Sequence, residues 1–242
     1  MNRHDITLRY FDARGRVQFI RDYMSIRGVA YTDERVPLSA DFSAWLAIRD
    51  DATRTGPFRK LPVLEFDREV ISETLVIVSF LHERLGDRQR LSAIENRHHE
   101  MLASSLYTDI LVPVGTLIWA DRMFPGTVVA EAAQQTLGRV RRLLSTLNTT
   151  LEEWGWLARS GPETLADCLL WDQIMTAVQV FGKHLGLGDL EALSRFYGEF
   201  PAREKCLKML ELEPCPITAR PGEAAMIEVI RTSLDIAAKA GK

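Results

Sequence analysis

This chain of 242 residues contains few cysteines, lacks long apolar runs and has no excess of positive charge. Cys168, Cys206 and Cys215 are an odd number without metal-like spacing, which argues against a disulfide framework and a zinc site. Charge, glycine and proline interrupt the apolar runs before the roughly 20 residues that a membrane-spanning helix needs. A net charge of -3 argues against nucleic-acid binding. No signal peptide is apparent, so we expect a reduced, cytoplasmic protein without metal.

The first 86 residues alternate strand and helix patterns in the order β-α-β-α-β-β-α. The first three elements predict a βαβ unit, and a hairpin around Pro62 adds two antiparallel strands. This segment is predicted to be a small α+β domain of the thioredoxin-like type. The predicted strands cover 6–11, 30–36, 60–66 and 70–72, and the predicted helices cover 16–27, 42–49 and 73–85.

Strand patterns disappear after residue 86. We predict a polar linker at 87–90 and an all-helical domain at 91–242. Thr164 and Asp167 form a capping-box pattern ahead of an apolar run, which we interpret as a folding element. The predicted helices cover 92–123, with an interruption at Pro113, then 127–158, 164–184, 188–197, 201–210 and 221–240.

The hairpin and the helix start behind it suggest a clamp for a small peptide-like anion. Pro62 cannot donate to a strand ladder, and a cis bond there would leave the backbone of Leu61 free to pair with an extended ligand. Glu73 and Thr74 open the next helix, where backbone N–H groups and the helix dipole favour a carboxylate.

Tyr10 ends the first strand, where α/β folds place ligands. Close to a helix N-terminus and to Arg16, its hydroxyl is suited to stabilising a bound thiolate. The alternative is a β-forming residue that only fills the strand. No cysteine stands at Asp12–Gly15, the start of the first helix, which argues against disulfide exchange by the protein's own thiols.

The remaining candidate binding residues are each less specific when considered alone. Trp45, Arg49 and Lys60 provide an aromatic wall and two cations that suit a second ligand carboxylate, although such residues are also common as core and solvated surface. Phe11 and three residues of the first long helix, Met101, Tyr107 and Trp119, are candidates for a pocket beside the helical domain, with plain core packing as the alternative.

Four segments, in this order along nearly the whole chain, resemble those of a cytosolic glutathione S-transferase of the Tyr type, sigma- or alpha-like. They are Tyr10–Arg16, Leu61–Leu64, Ile71–Ile77 and Thr164–Asp167. Two departures stand out: Thr74 occupies a position where the family more often has serine, and the stretch 49–60 is longer than in the sigma class.

The resemblance implies roles residue by residue. Tyr10 would stabilise the glutathione thiolate and Arg16 would reinforce it. The backbone of Leu61, beside Pro62, would pair with the cysteinyl unit. The other implied glutathione contacts are Glu73 and Thr74 at the γ-glutamyl end and Trp45, Arg49 and Lys60 at the glycyl end.

The implied activity is the transfer of a hydrophobic electrophile to glutathione, a co-substrate, by a homodimer acting in detoxification. A partner-subunit acid, with Glu100 as a possible match, often completes such sites. Glutathione-dependent isomerisation, peroxide reduction, non-catalytic ligand binding and a likeness of fold alone remain the alternatives.

Overall fold

The computed structural model describes residues 4–120, 126–157, 163–212, 215–217 and 222–240. A four-stranded mixed sheet lies in the N-terminal part, in the spatial order β2-β1-β3-β4. β1 runs parallel to β2 and antiparallel to β3, which in turn pairs antiparallel with β4. The strands are β1 Ile6–Phe11, β2 Thr32–Val36, β3 Val63–Phe66 and β4 Glu69–Ser72.

Helices make up most of the rest of the described chain. The N-terminal part contains α1 Gln18–Ile26, α2 Ser43–Ile48, α3 Ala52–Thr55 and α4 Thr74–Arg84. The C-terminal part contains α5 Asp87–Arg90, α6 Ala93–Leu106, a π-helical turn Tyr107–Leu111, α7 Val112–Ile118, α8 Gly126–Trp154, α9 Leu165–Phe181, α10 Glu191–Glu199, α11 Leu207–Leu210 and α12 Glu223–Ala240. A thioredoxin-like domain followed by an all-helical domain is the predicted fold class, and it is confirmed.

α1 joins the two parts of the molecule. Its apolar residues recur at helical spacing, and Phe19, Ile20, Tyr23 and Met24 are fully buried. The helix packs against α9 and α11, so one continuous core runs through both domains. α1 and the loop that leads into it from β1 are therefore held directly against the helical domain.

Two segments differ in secondary structure from the sequence prediction, and a third contains a helix where no element was predicted. Residues 87–90, expected as a linker, form α5, whose buried Asp87 accepts hydrogen bonds from Tyr23 and Arg27. The helix expected at 201–210 is only a 3-10 turn and the four-residue α11. The stretch 49–60 contains the short extra helix α3, which Asp51 caps.

The helix predicted at 92–123 is described up to residue 118, and Pro113 does not end it. Proline lacks an N–H group, and a π-helical turn at Tyr107–Leu111 precedes it, after which α7 continues. By length and composition Ala93–Ile118 would be able to cross a membrane, a test that core helices also pass. Leu102, Leu106 and Val114 of this helix are buried in the core.

Candidate active site

A cavity of about 460 Å³ lies between the two domains. One wall comes from the end of β1, the loop into α1, Leu38 after β2, and Leu61, two positions before β3. The other comes from the π-helical turn, α7, α9 and the start of α12. Its lining residues are Tyr10, Phe11, Ala13, Arg14, Gly15, Arg16, Leu38 and Leu61 on the first side, and Leu111, Val112, Gly115, Thr116, Ile118, Trp119, Gln173, Thr176, Ile217 and Glu223 on the second.

Tyr10 presents a buried hydroxyl at the first wall, with 8% of the residue exposed. The Arg16 backbone N–H donates to this hydroxyl over 3.3 Å, and within the described chain the Tyr10 proton itself has no acceptor. Burial raises the pKa of Tyr10 above its usual 10.0, and the amide and charge of Arg16 offset the rise only in part. The hydroxyl therefore stays protonated near neutral pH and can donate a hydrogen bond to a ligand.

Gly15 lets the loop fold back over the Tyr10 ring. Its φ of +41° is in the left-handed region, and a Cβ atom there would lie 2.6 Å from the Tyr10 hydroxyl oxygen. Position 15 therefore needs glycine twice, for its backbone angle and for the space. Gly15 lies in the Arg-Gly-Arg tripeptide of the Tyr10–Arg16 motif, but its dependence on Tyr10 appears only in three dimensions.

Arg14 and Arg16 have different environments although both line the cavity. Arg14 donates from Nε and Nη2 to Oδ1 of Asp172 on α9, over 3.2 and 2.6 Å, and both side chains are largely buried. Arg16 is exposed and makes no ion pair within the residues that the structure describes. Arg14 is therefore committed to the joint between the domains, while the charge of Arg16 is available to a ligand.

A second buried carboxyl group lies beside this joint. Gln18 donates to Asp22 over 2.8 Å, and Gln173 donates to Asp172 over 3.0 Å. Burial, and then the negative charge of Asp172, raises the pKa of Asp22 to about 7. Burial also raises the pKa of Asp172, against the opposing charge of Arg14. Asp22 thus holds a proton through mildly acidic conditions, while Asp172 carries the charge that Arg14 neutralises.

Of the clamp residues predicted around Pro62, Leu61 belongs to the first wall, whereas Glu73 and Thr74 are outside the cavity lining. The Leu61–Pro62 peptide bond is cis, and Leu61 stands just before β3, outside the strand pairing, with its side chain in the cavity lining. Glu73 precedes α4 with φ 72° and ψ 123°, angles that non-glycine residues adopt only under constraint from their surroundings.

The start of α4 has polar groups without hydrogen-bond partners in the described chain. No side chain of the described residues caps this helix. Thr74 is buried, and its Oγ1 has no hydrogen-bond partner within the described chain. An uncapped helix N-terminus with an unused hydroxyl suits a carboxylate ligand better than it suits an apolar one.

The three residues predicted for the glycyl end do not lie in the cavity lining. Trp45 is half-buried and packs edge-on against Phe11, with ring centroids 5.7 Å apart. Arg49 is exposed and paired with Asp50 at 3.2 Å, so its charge is already shared. Lys60 is exposed beside Leu61 and makes no ion pair in the described chain.

The four predicted pocket residues are separated by the fold. Phe11 and Trp119 line the cavity. Tyr107 packs against the core and lies near enough to Tyr10 to influence its pKa, but it is not part of the lining. Met101 is 62% exposed on α6, so the structure does not bring it to the cavity. The π-helical turn between Met101 and α7 shifts the helical register, which a constant period of 3.6 residues does not anticipate.

Apart from Trp119, the residues of the second wall were not predicted from the sequence. Neither Gly115 nor the pair Asp172–Gln173 belongs to a local motif, and the partners of the Arg14–Asp172 bond lie 158 positions apart.

Among the described residues, no group of three or more histidine, cysteine or acidic side chains is arranged to hold a metal ion.

Comparisons with known proteins give a consistent result. No protein-family model matches the chain. It is 35% identical over 173 residues to hematopoietic prostaglandin D synthase of Gallus gallus, covering 71% of this chain and 78% of that protein. It is 31% identical over 160 residues to S-crystallin SL20-1 of Nototodarus sloanii, covering 60% and 68%. A monomeric glutathione S-transferase from Necator americanus shares the fold, with a TM-score of 0.71, 20% identity, and coverage of 87% of this chain and 98% of that one.

Proposed function

Because the chain belongs to the cytosolic glutathione S-transferase family, we propose that it transfers apolar electrophiles to the sulfur of glutathione. The observation that carries the proposal is the buried Tyr10 hydroxyl, which keeps its proton and faces the cavity lined by Arg16 and Leu61. A hydroxyl that donates to a thiolate stabilises the charged form of the thiol. Glutathione is the co-substrate, and the mechanism needs no metal.

Glutathione would lie along the rim, with its thiol at Tyr10. Its cysteinyl backbone would pair with Leu61 beside Pro62. Its γ-glutamyl carboxylate would meet the uncapped start of α4 at Glu73 and Thr74, whose Oγ1 would gain a partner after rotating about the Cα–Cβ bond. Its glycyl carboxylate would reach Lys60, with Trp45 and Arg49 nearby; Arg49 would have to leave Asp50.

The thiol loses its proton to solvent before the reaction. A free cysteine thiol has a pKa of about 8.5, so only about 3% is thiolate at pH 7. A reduction of about two pKa units, from the Tyr10 hydrogen bond, the Arg16 charge and the α1 N-terminus, makes thiolate the major form. The sulfur then attacks the electrophilic carbon. A carbon–sulfur bond forms, and the leaving group departs with its electron pair.

The proposal is tested by replacing one hydroxyl. Tyr10→Phe removes the donor and keeps the ring, so the glutathione dissociation constant should stay within about twofold. A hydrogen bond to a charged group is worth about 1.5–3 kcal/mol, so turnover of chlorodinitrobenzene should fall by about 10- to 100-fold. Tyr197→Phe on α10, outside the cavity lining, is the matched control. Unchanged turnover in Tyr10→Phe would refute the role of Tyr10.

Isomerisation is the second candidate, because the 35%-identical relative is named as a synthase. The reactions differ in the fate of glutathione. Conjugation consumes it in a carbon–sulfur bond, isomerisation returns it unchanged, and peroxide reduction turns two molecules into the disulfide while the peroxide becomes an alcohol and water. A substrate screen that follows both thiol loss and disulfide formation separates the three. Binding of glutathione without any turnover would favour a ligand-binding protein.

We propose a homodimer formed through the outer face of α4 and α6. Val76 on α4 is 54% exposed, and Ile94 and Met101, two turns apart on α6, are 73% and 62% exposed. Apolar residues at such exposure on adjacent helices are typical of an interface. Glu100, on the same helix, is paired with Arg88 at 3.1 Å in the single chain. Sedimentation should give a dimer for the wild type and a monomer for Ile94→Glu/Met101→Glu; a monomeric wild type would contradict the proposal.

The proposed compartment is the cytoplasm, where glutathione is abundant and thiols stay reduced. Cys168, Cys206 and Cys215 are all free and buried, which fits a reducing environment. A role in detoxification follows from the proposed conjugation and is part of the same proposal.

A further inference from the structure

One face of α7 and the turn before it form the helical wall of the cavity. Leu111, Val112, Gly115, Thr116 and Trp119 line this face. Residues four positions apart lie above one another on a helix, so Gly115 stands between Leu111 and Trp119 at the centre of the wall. The other wall, with Tyr10, carries the proposed thiol.

Nothing in the backbone or the packing requires glycine at position 115. Its φ is not in the left-handed region, and a Cβ atom built there would meet no neighbouring atom within 4 Å. Glycine inside a helix costs about 1 kcal/mol relative to alanine. Gly15, across the cavity, is the opposite case, because both its φ and its contact with Tyr10 demand glycine. The effect of Gly115 is therefore to leave open space beside the wall.

We infer that Gly115 sets the upper size limit of the electrophile, and that the cavity is built for a drug-sized apolar molecule of several rings. This inference rests on the proposed function and names the substrate class of that site. A cavity of about 460 Å³ is within the range of pockets that enclose drug-sized ligands. The lining of α7 is mostly apolar, so it selects by shape more than by hydrogen bonding.

A side chain at position 115 would reduce this space in steps. Helical side chains point back toward the N-terminus, so a leucine there would extend over the surface next to Leu111. Alanine adds one methyl group and leucine adds four carbon atoms. Neither should disturb the fold, since the position has room and both residues favour a helix more than glycine does.

The test compares Gly115→Ala, Gly115→Leu and the control Gly198→Leu with the wild type. Gly198 lies on α10, also in helical backbone with no atom within 4 Å of a built Cβ, but outside the cavity lining. Each variant is measured for binding of anilinonaphthalene sulfonate by fluorescence, for glutathione binding by calorimetry, and for turnover of chlorodinitrobenzene and of the three-ring phenanthrene oxide.

The expected result is selective loss of large ligands. Gly115→Leu should lower both dye affinity and phenanthrene oxide turnover by about tenfold or more, the discrimination that a filled apolar pocket provides. Chlorodinitrobenzene turnover should fall by a clearly smaller factor than phenanthrene oxide turnover, glutathione affinity should stay within about twofold because glutathione is placed on the other wall, the thermal midpoint should not fall, and Gly115→Ala should be intermediate. Gly198→Leu should match the wild type in all binding and turnover measurements.

Two results would overturn the inference. One is dye affinity in Gly115→Leu equal to that of the wild type. The other is an equal loss with the one-ring and the three-ring substrate. A wild type that turns over neither electrophile would instead contradict the proposed function, and dye binding would still decide the role of Gly115.

Discussion

The two walls of the cavity are built on different principles. The wall that carries Tyr10 depends on unusual backbone, with a φ of +41° at Gly15, and the predicted clamp beyond it has a φ of 72° at Glu73. The helical wall is an ordinary helix face, whose shape depends on side-chain volume. Backbone requirements restrict which residue can occupy a position, whereas side-chain volume can be altered freely. The difference suggests a fixed site for glutathione facing an adjustable site for electrophiles.

The largest predicted effect comes from breaking the buried ion pair between Arg14 and Asp172, which joins the two domains. Arg14→Met leaves Asp172 buried without its cation, and breaking a buried pair in this way costs about 3–5 kcal/mol. The thermal midpoint should fall by about 10 °C, since each kcal/mol shifts a domain of this size by about 2–4 °C. Differential scanning calorimetry at pH 8 measures the loss.

Arg16→Met is the matched control for that measurement. Its side chain is exposed and makes no ion pair in the described chain, so stability should change by no more than about 0.5 kcal/mol while turnover falls. Equal destabilisation by the two substitutions would show that Arg14 does not have the structural role assigned to it.

The next effect compares the glycines of the two walls. Gly15→Ala forces a strained φ and places a methyl group against the Tyr10 hydroxyl, so it should destabilise the fold by about 1–3 kcal/mol and lower turnover. Gly115→Ala should stabilise the fold by about 1 kcal/mol. Urea unfolding measures the free energy of unfolding of both variants. If it changes in the same direction in Gly15→Ala and Gly115→Ala, the contrast between the two walls does not hold.

A smaller effect concerns the pH dependence of the joint. The pKa of Asp22 is about 7 in the folded protein, whereas an unfolded aspartate titrates at about 3.9. The folded state therefore binds more protons between these values, and the Asp22 contribution to stability falls as pH rises from about 4 to about 7. Asp22→Asn removes the titration and should stabilise by on the order of 2 kcal/mol at pH 8, with little gain at pH 4.

The measurements at pH 4 and pH 8 need a control substitution. Asp189→Asn alters an exposed aspartate of the helical domain and should change stability by less than about 0.5 kcal/mol at either pH. A gain in Asp22→Asn that is the same at pH 4 and pH 8 would show that the substitution acts through packing and not through the proton.

The smallest predicted effect is on the helical wall. The Thr176 hydroxyl makes no hydrogen bond in the described chain although it lines an otherwise mostly apolar surface. Thr176→Val replaces it with a methyl group and should tighten binding of an apolar ligand by about two- to threefold, equivalent to about 0.5 kcal/mol. Fluorescence titration with anilinonaphthalene sulfonate measures this, with Thr146→Val on α8 as control. Weaker binding would indicate that the hydroxyl contacts the ligand.

The contrast between the walls also explains what the sequence allowed us to predict. Pro62, Glu73 and the pair Tyr10–Arg16 occupy short motifs next to predicted strand and helix ends, so their neighbourhood follows from local patterns. The capping box of Thr164 and Asp167 is likewise local, and it forms as predicted. The succession of strands and helices along the chain, and the change to an all-helical pattern after residue 86, follow from periodicity.

The rest depends on contacts between distant residues. Arg14 and Asp172 are 158 positions apart, and nothing local pairs them. The proton on Asp22 arises from burial next to Asp172, which the sequence does not display. Met101 and Gly115 lie on opposite sides of a π-helical turn, so a single helical period assigns at least one of them to the wrong face.

The most direct test is a pH titration of thiolate absorbance for glutathione bound to the wild type and to Tyr10→Phe. The glutathione thiol bound to the wild type should ionise near pH 6.5, about two pKa units below a free thiol. In Tyr10→Phe the midpoint should rise by at least about one unit. Identical midpoints in the two proteins, or glutathione that binds without any shift, would contradict the central claim that the Tyr10 hydroxyl stabilises the thiolate.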